Sequence, residues 1–242
     1  NHLIIMTIGG LQKFSLLDYP GCISAIVFTQ GCNYRCQFCY NPMLVWPITV
    51  GKSKYAQATE QQKDHPKIKE DDLFVFLRSR VGKLDAVVVT GGEPCLQKDL
   101  PEFIAKIKKL GFLVKLDTNG SFPEVLAKLI KAKLVDYLAM DLKAPADKYG
   151  IVTGQPSNFD KIKQSVKIIM QGGPPNGRAS LPYEFRTTVV PGLLNLDDIG
   201  EMGKIIKGAR AWYLQKFQSN IELVGRDLEH RVPYNARQMN EM

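Results

Sequence analysis

The sequence predicts an α/β protein, because six apolar, β-branched segments alternate with amphipathic stretches of helical period. This alternation is typical of βα units with a parallel sheet, and six units rather than eight predict a partial (β/α)6 TIM-like barrel. At 242 residues, 45% apolar and 23% charged, the chain suits one globular domain over 1–242, with a core of about 20–218 and a polar tail over 219–242.

Each predicted strand is a short apolar run, and a helical pattern follows most of them. Asp99 and Ser121 each stand two residues before a proline and three before a glutamate, which predicts the N-caps of two helices. The segments EDDLFVFLRSR, FDKIKQSVKIIM and LDDIGEMGKII predict three further helices. The predicted strands, in order, are 23–29, 85–90, 112–118, 135–142, 183–190 and 211–217.

Composition limits the possible partners and locations. The net charge of +8 comes from 32 Lys and Arg against 24 Asp and Glu, spread along helices such as IAKIKKL, without the basic and aromatic patch of a nucleic-acid binder. No apolar run is long enough to span a bilayer, and the first residues lack a signal-peptide pattern. We therefore expect a cytoplasmic protein that binds neither nucleic acid nor membrane.

Polar and glycine-rich motifs follow all six predicted strands. In a parallel βα sheet or barrel the carboxyl ends of the strands share one face, which is where active sites are assembled. The site is therefore expected on that face. The motifs, in order, are GCNYRCQFCY, TGGEP, DTNG, DLK, VVPG and LQKFQ.

Three of the five cysteines, Cys32, Cys36 and Cys39, fall within eight positions. A closed zinc site takes four ligands, but no fourth cysteine lies nearby and the three histidines lie outside the strand-end motifs. A four-iron cluster on three thiolates would leave one iron open to substrate or cofactor. Cys22 and Cys95 are expected to be packing residues.

The spacing Cys-x3-Cys-x2-Cys, with Phe38 before the last cysteine, resembles the signature of the radical S-adenosylmethionine (SAM) superfamily. TGGEP resembles the glycine-rich turn of that family, and DTNG and DLK resemble segments of glycyl radical enzyme activases. Over nearly the whole chain, stretches such as IGGLQKFSLLDYPG, LDAVVVTGGEPCLQKDLPEF and VDYLAMDLKAP resemble the activating proteins of anaerobic ribonucleoside-triphosphate reductase.

The resemblance implies a [4Fe-4S] cluster on the three cysteines, with SAM bound beside it. A SAM pocket needs acceptors for the amine, donors for the carboxylate and a wall for the adenine. Asp117 and Asp141 end neighbouring strands and resemble a monovalent-cation site of related activases, since two close carboxylates repel unless a cation lies between them. The expected SAM contacts are Tyr40, Gly91, Gly92, Glu93, Asn119, Lys143 and Arg186.

The resemblance also implies the reaction. One electron from the cluster cleaves SAM to methionine and a 5′-deoxyadenosyl radical, which takes hydrogen from a glycine α-carbon in a partner polypeptide. That partner would be the large subunit of anaerobic ribonucleotide reductase, and the electron donor a flavodoxin or ferredoxin. The cofactors carry the chemistry, so no side chain is expected to act as a catalytic base.

Two other functions fit the same motifs. A radical SAM enzyme acting on a small molecule or on a different glycyl radical enzyme would share every cluster and SAM motif, and a non-catalytic module would bind metal without cleaving SAM. Seen alone, Gly91-Gly92 and Asp117-Thr-Asn-Gly are ordinary turns. The polar loops 51–69 and 171–182 leave the docking of a partner open.

Overall fold

The computed structural model describes residues 6–45, 68–172 and 181–242. Strands and helices alternate through most of these residues. The strands are β1 Ile8–Ser15, β2 Ser24–Thr29, β3 Ala86–Gly91, β4 Leu113–Thr118, β5 Tyr137–Asp141, β6 Tyr183–Val189 and β7 Trp212–Lys216. The helices are α1 Pro42–Val45, α2 Glu70–Arg78, α3 Leu100–Lys109, α4 Pro123–Lys131, α5 Tyr149–Thr153, α6 Phe159–Gln171, α7 Leu196–Ile205 and α8 Ala236–Asn240.

The strands form a seven-stranded sheet whose hydrogen-bonded order follows the chain from β1 to β7. β2 pairs in parallel with β3 and β3 with β4, and the pairs β5–β6 and β6–β7 are parallel as well. The predicted α/β class is therefore confirmed. All six predicted strands are present, with boundaries that differ from the prediction by two residues at most.

β1 is the strand, among the described residues, that the sequence prediction missed, and the short helices α1, α5 and α8 were not predicted either. β1 pairs antiparallel with β2 through residues such as Leu11 and Val27, with register shifts at both ends. Its sequence, IGGLQKFS, has two glycines and three consecutive exposed residues, so it shows neither a buried apolar run nor a clean alternation. The pairing with β2, rather than the local sequence, makes it a strand.

The chain forms two compact units. The first comprises residues 1–33, 43–117 and 128–137. Its core is built from β2 and β3, whose valines are fully buried, and from the apolar face of α3. That face carries Leu100, Phe103, Ile104 and Ile107, spaced at helical period and 0–1% exposed. Burial of each of these side chains stabilises the unit by about 1.5–3 kcal/mol.

The second unit comprises residues 34–42, 118–127 and 138–242. Phe185 and Phe217 are fully buried in it. The predicted tail is anchored on this unit, because Tyr234 Oη donates to the carbonyl oxygen of Leu194 at 3.0 Å and Arg231 donates to that of Pro191 at 2.8 Å. The prediction of one domain over 1–242 stays a prediction.

One predicted cap is wrong. Asp99 occupies the N-cap position of α3, but its side chain makes no capping hydrogen bond, and its Oδ1 atom is buried without a partner among the described residues. Its backbone, at φ −96° and ψ 10°, departs from the extended conformation that aims an N-cap side chain at the first turn. A complete capping box, formed by Asn195 and Asp198, is found at the N-terminus of α7.

The predicted loops 51–69 and 171–182 fall mostly outside the described residues, which omit 46–67 and 173–180. Within the part of the chain that the structure covers, every helix is too short or too polar to cross a membrane.

Candidate active site

The glycine turn, Gly91 to Glu93, follows β3 in the first unit and packs its backbone against the backbone of residues 29–31. Gly92 N–H donates to Thr29 O and Glu93 N–H to Gly31 O, both at 2.9 Å. Gly91 has φ +114°, and a Cβ there would lie 2.3 Å from Thr29 N, whereas a Cβ on Gly92 would lie 2.0 Å from Gly31 O. Both positions therefore require glycine, since any side chain would collide with the residues that lead into Cys32.

Glu93 completes this turn as a fully buried carboxylate. Its Oε1 atom accepts a hydrogen bond from the backbone N–H of Cys95 at 3.0 Å, which orients the side chain. A charged group is buried at this depth only when other groups stabilise it. The sequence predicted Glu93 as an acceptor beside the glycines, and the structure places it directly after them.

Cys32 lies at the start of the cysteine segment in the first unit, where it is half-buried. Its backbone N–H donates to Val45 O at 3.1 Å, and that of Gly31 donates to Leu44 O at 2.8 Å. The short helix α1 thus holds the residues that enter the cysteine segment. Gly31 has φ +94°, a conformation that favours glycine.

Cys36 and Cys39 lie in the second unit and share one turn, closed by a hydrogen bond of 3.0 Å from Cys39 N–H to Cys36 O. Two more backbone bonds fix this turn: Arg35 N–H donates to Thr153 O at 2.8 Å, and Gly225 N–H donates to Gln37 O at 2.7 Å. Two segments far along the chain therefore set the position of the two cysteines.

The Cys39 thiol has a raised pKa. Burial is the largest effect and raises the pKa of Cys39. A hydrogen bond from the backbone N–H of Asn41 and the charge of Lys143 lower this pKa, and the charge of Asp141 raises it. Such a thiol keeps its proton in the metal-free protein, so binding of a cationic metal centre would release that proton.

Tyr40 and Phe38 flank Cys39 with aromatic contacts inside the second unit. Tyr40 stacks on Phe217 with ring centroids 6.4 Å apart, and its hydroxyl accepts a hydrogen bond from Gln218 N–H at 2.9 Å. The Lys143 ammonium lies 5.8 Å from the centre of the Phe38 ring, within the range of a cation–π contact. Both predicted residues, Tyr40 and Lys143, thus border the cysteine turn.

Lys143 and Arg186 both pair with the carboxylate of Asp141. Arg186 Nε lies 3.0 Å from Asp141 Oδ1, and Lys143 Nζ lies 3.3 Å from Asp141 Oδ2. Burial alone would raise the pKa of Asp141, but the charges of Arg186 and Lys143 and their hydrogen bonds outweigh it and hold that pKa below its ordinary value.

Asn119 and Asp117 also have partners within their own units. The Asn119 side-chain oxygen accepts from Ser121 N–H at 3.0 Å and from the Ser121 hydroxyl at 2.5 Å, which forms a turn after β4. Asp117 pairs with Lys115 at 2.8 Å, and the Lys115 residue is only 2% exposed.

The structure therefore brings some of the predicted site residues into contact, and the other predicted contacts remain predictions. Lys143, Arg186 and Asp141 meet in the second unit, and the glycines meet Glu93 in the first. Within the described residues, no three histidine, cysteine or acidic side chains are close enough together to hold a metal ion. Sequence reasoning missed Lys115, whose only signal is a lysine inside an apolar strand, and Tyr149, which has no signal of its own.

Comparison with known proteins identifies the family. Residues 26–203, more than half of the chain, match the model of the Radical SAM superfamily. The chain belongs to the radical SAM superfamily. It is 35% identical to a proposed glycyl-radical enzyme activating enzyme of Methanocaldococcus jannaschii over 212 residues, which are 87% of this chain and 80% of that protein.

Two further radical SAM comparisons agree. The pyruvate formate-lyase-activating enzyme of Streptococcus mutans is 28% identical over 238 residues, covering 94% of this chain and 82% of that enzyme. Coproporphyrinogen III oxidase of Escherichia coli, a radical SAM enzyme, aligns with a TM-score of 0.55 and 12% identity, covering 89% of this chain and 49% of the oxidase. The similarity to this solved structure concerns the fold.

Family membership confirms the predicted radical SAM fold and the prediction of a radical SAM enzyme. It also confirms the two predicted cofactors, a [4Fe-4S] cluster and SAM, as those of the superfamily. The donor groups on the chain fit these cofactors, because three thiols within eight residues suit an iron–sulfur cluster. In the first unit the buried Glu93 suits a cationic group, and in the second unit the cations held by Asp141 suit an anionic group.

Proposed function

We propose that this radical SAM enzyme forms a glycyl radical on a partner polypeptide, the large subunit of anaerobic ribonucleoside-triphosphate reductase. The observation that carries the proposal is the similarity to a proposed glycyl-radical enzyme activating enzyme, which is 35% identical over 87% of this chain. The choice of reductase rests on the stretches that resemble its activating proteins, from IGGLQKFSLLDYPG to EFRTTVVPG.

Cys32, Cys36 and Cys39 would hold the [4Fe-4S] cluster. When bound there, the cluster would supply the electron for the reductive cleavage of SAM, and the resulting radical would take hydrogen from the partner's glycine. Two anchored backbone segments hold Cys36 and Cys39 in one turn, which supports their role as neighbouring ligands. Cys22 and Cys95, outside this segment, would remain packing residues.

The chain's own residues would bind and orient SAM. Gly91 and Gly92 keep the turn close to the segment before Cys32, which leaves the buried Glu93 as an acceptor for the amine. Lys143 and Arg186 would provide positive charge for the carboxylate, with Asp141 fixing their positions. Tyr40 would face the adenine and Asn119 the ribose or carboxylate.

Asp117 and Asp141 remain candidates for a monovalent-cation site. Each has a lysine two residues away, Lys115 at 2.8 Å and Lys143 at 3.3 Å, and Arg186 adds a second cation at Asp141. These ion pairs already supply much of the positive charge that two carboxylates require, so any bound cation would be held weakly.

We further propose a flavodoxin or ferredoxin as electron donor, because one electron must enter the cluster for each SAM cleaved, and a cytoplasmic location, where such donors act. The net charge of +8 would favour an acidic protein donor. No role in nucleic-acid binding is proposed.

The test is anaerobic reconstitution with iron and sulfide, reduction, addition of SAM and the reductase large subunit, and EPR spectroscopy. We expect a glycyl doublet with the wild-type protein, none with Cys36→Ala, and an unchanged doublet with Cys22→Ala, a matched cysteine outside the motif. Formation of 5′-deoxyadenosine without a doublet would overturn the partner, and absence of both from an intact cluster would overturn the activity.

A second candidate partner follows from the similarity to pyruvate formate-lyase-activating enzymes. The same assay with pyruvate formate-lyase in place of the reductase separates the two partners. A doublet on the lyase and none on the reductase would assign this enzyme to the second partner, whereas the proposal requires the reverse.

A further inference from the structure

Tyr149 is a buried tyrosine whose hydroxyl proton has no acceptor among the described residues. The residue is 1% exposed, and no group in residues 6–45, 68–172 or 181–242 forms a hydrogen bond of normal geometry with its Oη atom. The backbone N–H of Lys143 is turned toward this oxygen, but a donor cannot accept the hydroxyl proton. Buried hydroxyls are nearly always paired, so an unpaired one indicates a partner that the described residues do not supply.

The position of Tyr149 relative to the cysteine turn is fixed by α5. Thr153, at the end of α5, accepts the hydrogen bond from Arg35 N–H at 2.8 Å. The next residue, Gly154, has φ +66°, and a Cβ there would lie 2.4 Å from Arg35 O. Backbone therefore packs against backbone, and α5 holds Tyr149 against the segment that carries Cys36.

The Tyr149 ring also packs against that segment. Its centroid lies 6.2 Å from that of Tyr34 in an edge-on arrangement, and Phe159 packs on it at 5.2 Å. Tyr34 itself has a different role, because its hydroxyl pairs with Ser157 Oγ at 2.9 Å. Of the two tyrosines in this pair, Tyr149 is the one with an unpaired hydroxyl.

The Tyr149 hydroxyl is protonated at neutral pH and can therefore donate a hydrogen bond. Burial raises the pKa of Tyr149 well above its ordinary value, and the neighbouring Tyr34 and Cys36 raise it further. The backbone bond from Arg35 to Thr153 and the ring contact with Tyr34 place Tyr149 beside the segment that carries Cys36.

We infer that the Tyr149 hydroxyl donates a hydrogen bond to a sulfur atom of the iron–sulfur cluster at the position of Cys36. The inference rests on the proposed binding of that cluster by Cys36. Thiolate and sulfide sulfurs accept hydrogen bonds, and such bonds are one of the means by which a protein sets a cluster's reduction potential. Because the reduced cluster carries one more negative charge, the bond stabilises it and makes it easier to form.

The test is a redox titration of the reconstituted full-length protein, followed by the EPR signal of the reduced cluster. In Tyr149→Phe, which removes only the hydroxyl, we expect about a tenfold lower ratio of reduced to oxidised cluster at a fixed potential, a shift of about 59 mV for one electron. The matched control Tyr34→Phe removes the hydroxyl that already pairs with Ser157, and its midpoint potential should equal that of the wild type.

A second variant makes the test independent of how well Tyr149→Phe holds its cluster. Tyr149→3-fluorotyrosine keeps the ring and the hydroxyl but makes the hydroxyl a stronger donor, so its midpoint should move in the opposite direction. An unchanged midpoint in either variant with an intact cluster overturns the inference, as does an equal shift in Tyr34→Phe. Failure of the wild type to assemble a cluster, or a full cluster in Cys36→Ala, overturns the proposed ligands instead.

Discussion

Asp141 and Arg186 stand opposite each other in the register of β5 and β6, and Arg186 Nε donates to Asp141 Oδ1 at 3.0 Å. Lys143, two residues after Asp141, pairs with the other carboxylate oxygen at 3.3 Å. A single carboxylate therefore holds together the two cations that the sequence predicted as SAM contacts. Without it, the two positive charges would repel each other.

Replacement of Asp141 by asparagine should destabilise the protein by about 1 kcal/mol at pH 7, a modest value because the Asp141 side chain is 34% exposed and screened by solvent. The folded-state pKa of Asp141 is lowered, so its stabilising effect is present above the unfolded pKa of about 3.9 and is lost as the pH falls through the folded pKa. Urea unfolding at pH 7 and at pH 3 measures the difference.

The control for this prediction is Asp160→Asn, because Asp160 pairs with Lys163 on the surface and its side chain is 85% exposed. It should leave the free energy of unfolding unchanged at both pH values. A difference between Asp141→Asn and wild type that persists at low pH would show that packing, rather than charge, stabilises the site.

Gly92→Ala should destabilise the protein by about 2 kcal/mol or more, because its new Cβ would lie 2.0 Å from the backbone oxygen of Gly31. The matched control is Gly200→Ala in α7, where no atom lies within 4 Å of the added Cβ, and which should stabilise by about 0.5–1 kcal/mol. Urea unfolding of the metal-free proteins compares the two. Equal stabilities would contradict the close packing of the glycine turn.

The parts of the site that the sequence predicted are those whose chemistry is local. The three cysteines and the residues Gly91-Gly92-Glu93 are neighbours along the chain, and a strand end fixes where such a motif lies. Tyr149 could not be predicted in this way, because the bond between Arg35 and Thr153 that positions it depends on folding. The unpaired state of its hydroxyl depends on every neighbour in the core.

In the fold, too, some elements are predictable from the local sequence and others depend on tertiary contacts. Strands such as β2 and β3 were predictable, since buried parallel strands read as continuous apolar runs. β1 was not, because it becomes a strand by pairing along β2 and three of its residues, including Lys13 and Phe14, are exposed. Asp99 shows that a sequence pattern for a cap does not fix the backbone angles that the cap requires.

Lys115 and Asp117 should form a strongly coupled pair. Their side chains are 3% and 12% exposed and 2.8 Å apart, so Lys115→Met would remove this ion pair from a largely buried carboxylate. We expect a loss of about 3 kcal/mol in the free energy of unfolding, and a smaller loss when Asp117→Asn is added. A double-mutant cycle by urea unfolding measures the coupling, and additive effects would contradict it.

Tyr149→Phe and Tyr34→Phe should have opposite effects on the metal-free protein. Removing the unpaired Tyr149 hydroxyl relieves the cost of burying it, so the variant should be as stable as the wild type or more stable by up to about 1 kcal/mol. Removing the Tyr34 hydroxyl breaks its bond to Ser157 and should cost about 1 kcal/mol. Urea unfolding at pH 7 compares the two. If Tyr149→Phe instead lost 1 kcal/mol or more, its hydroxyl would have a partner within the polypeptide, and the reason for assigning it to the cluster would disappear.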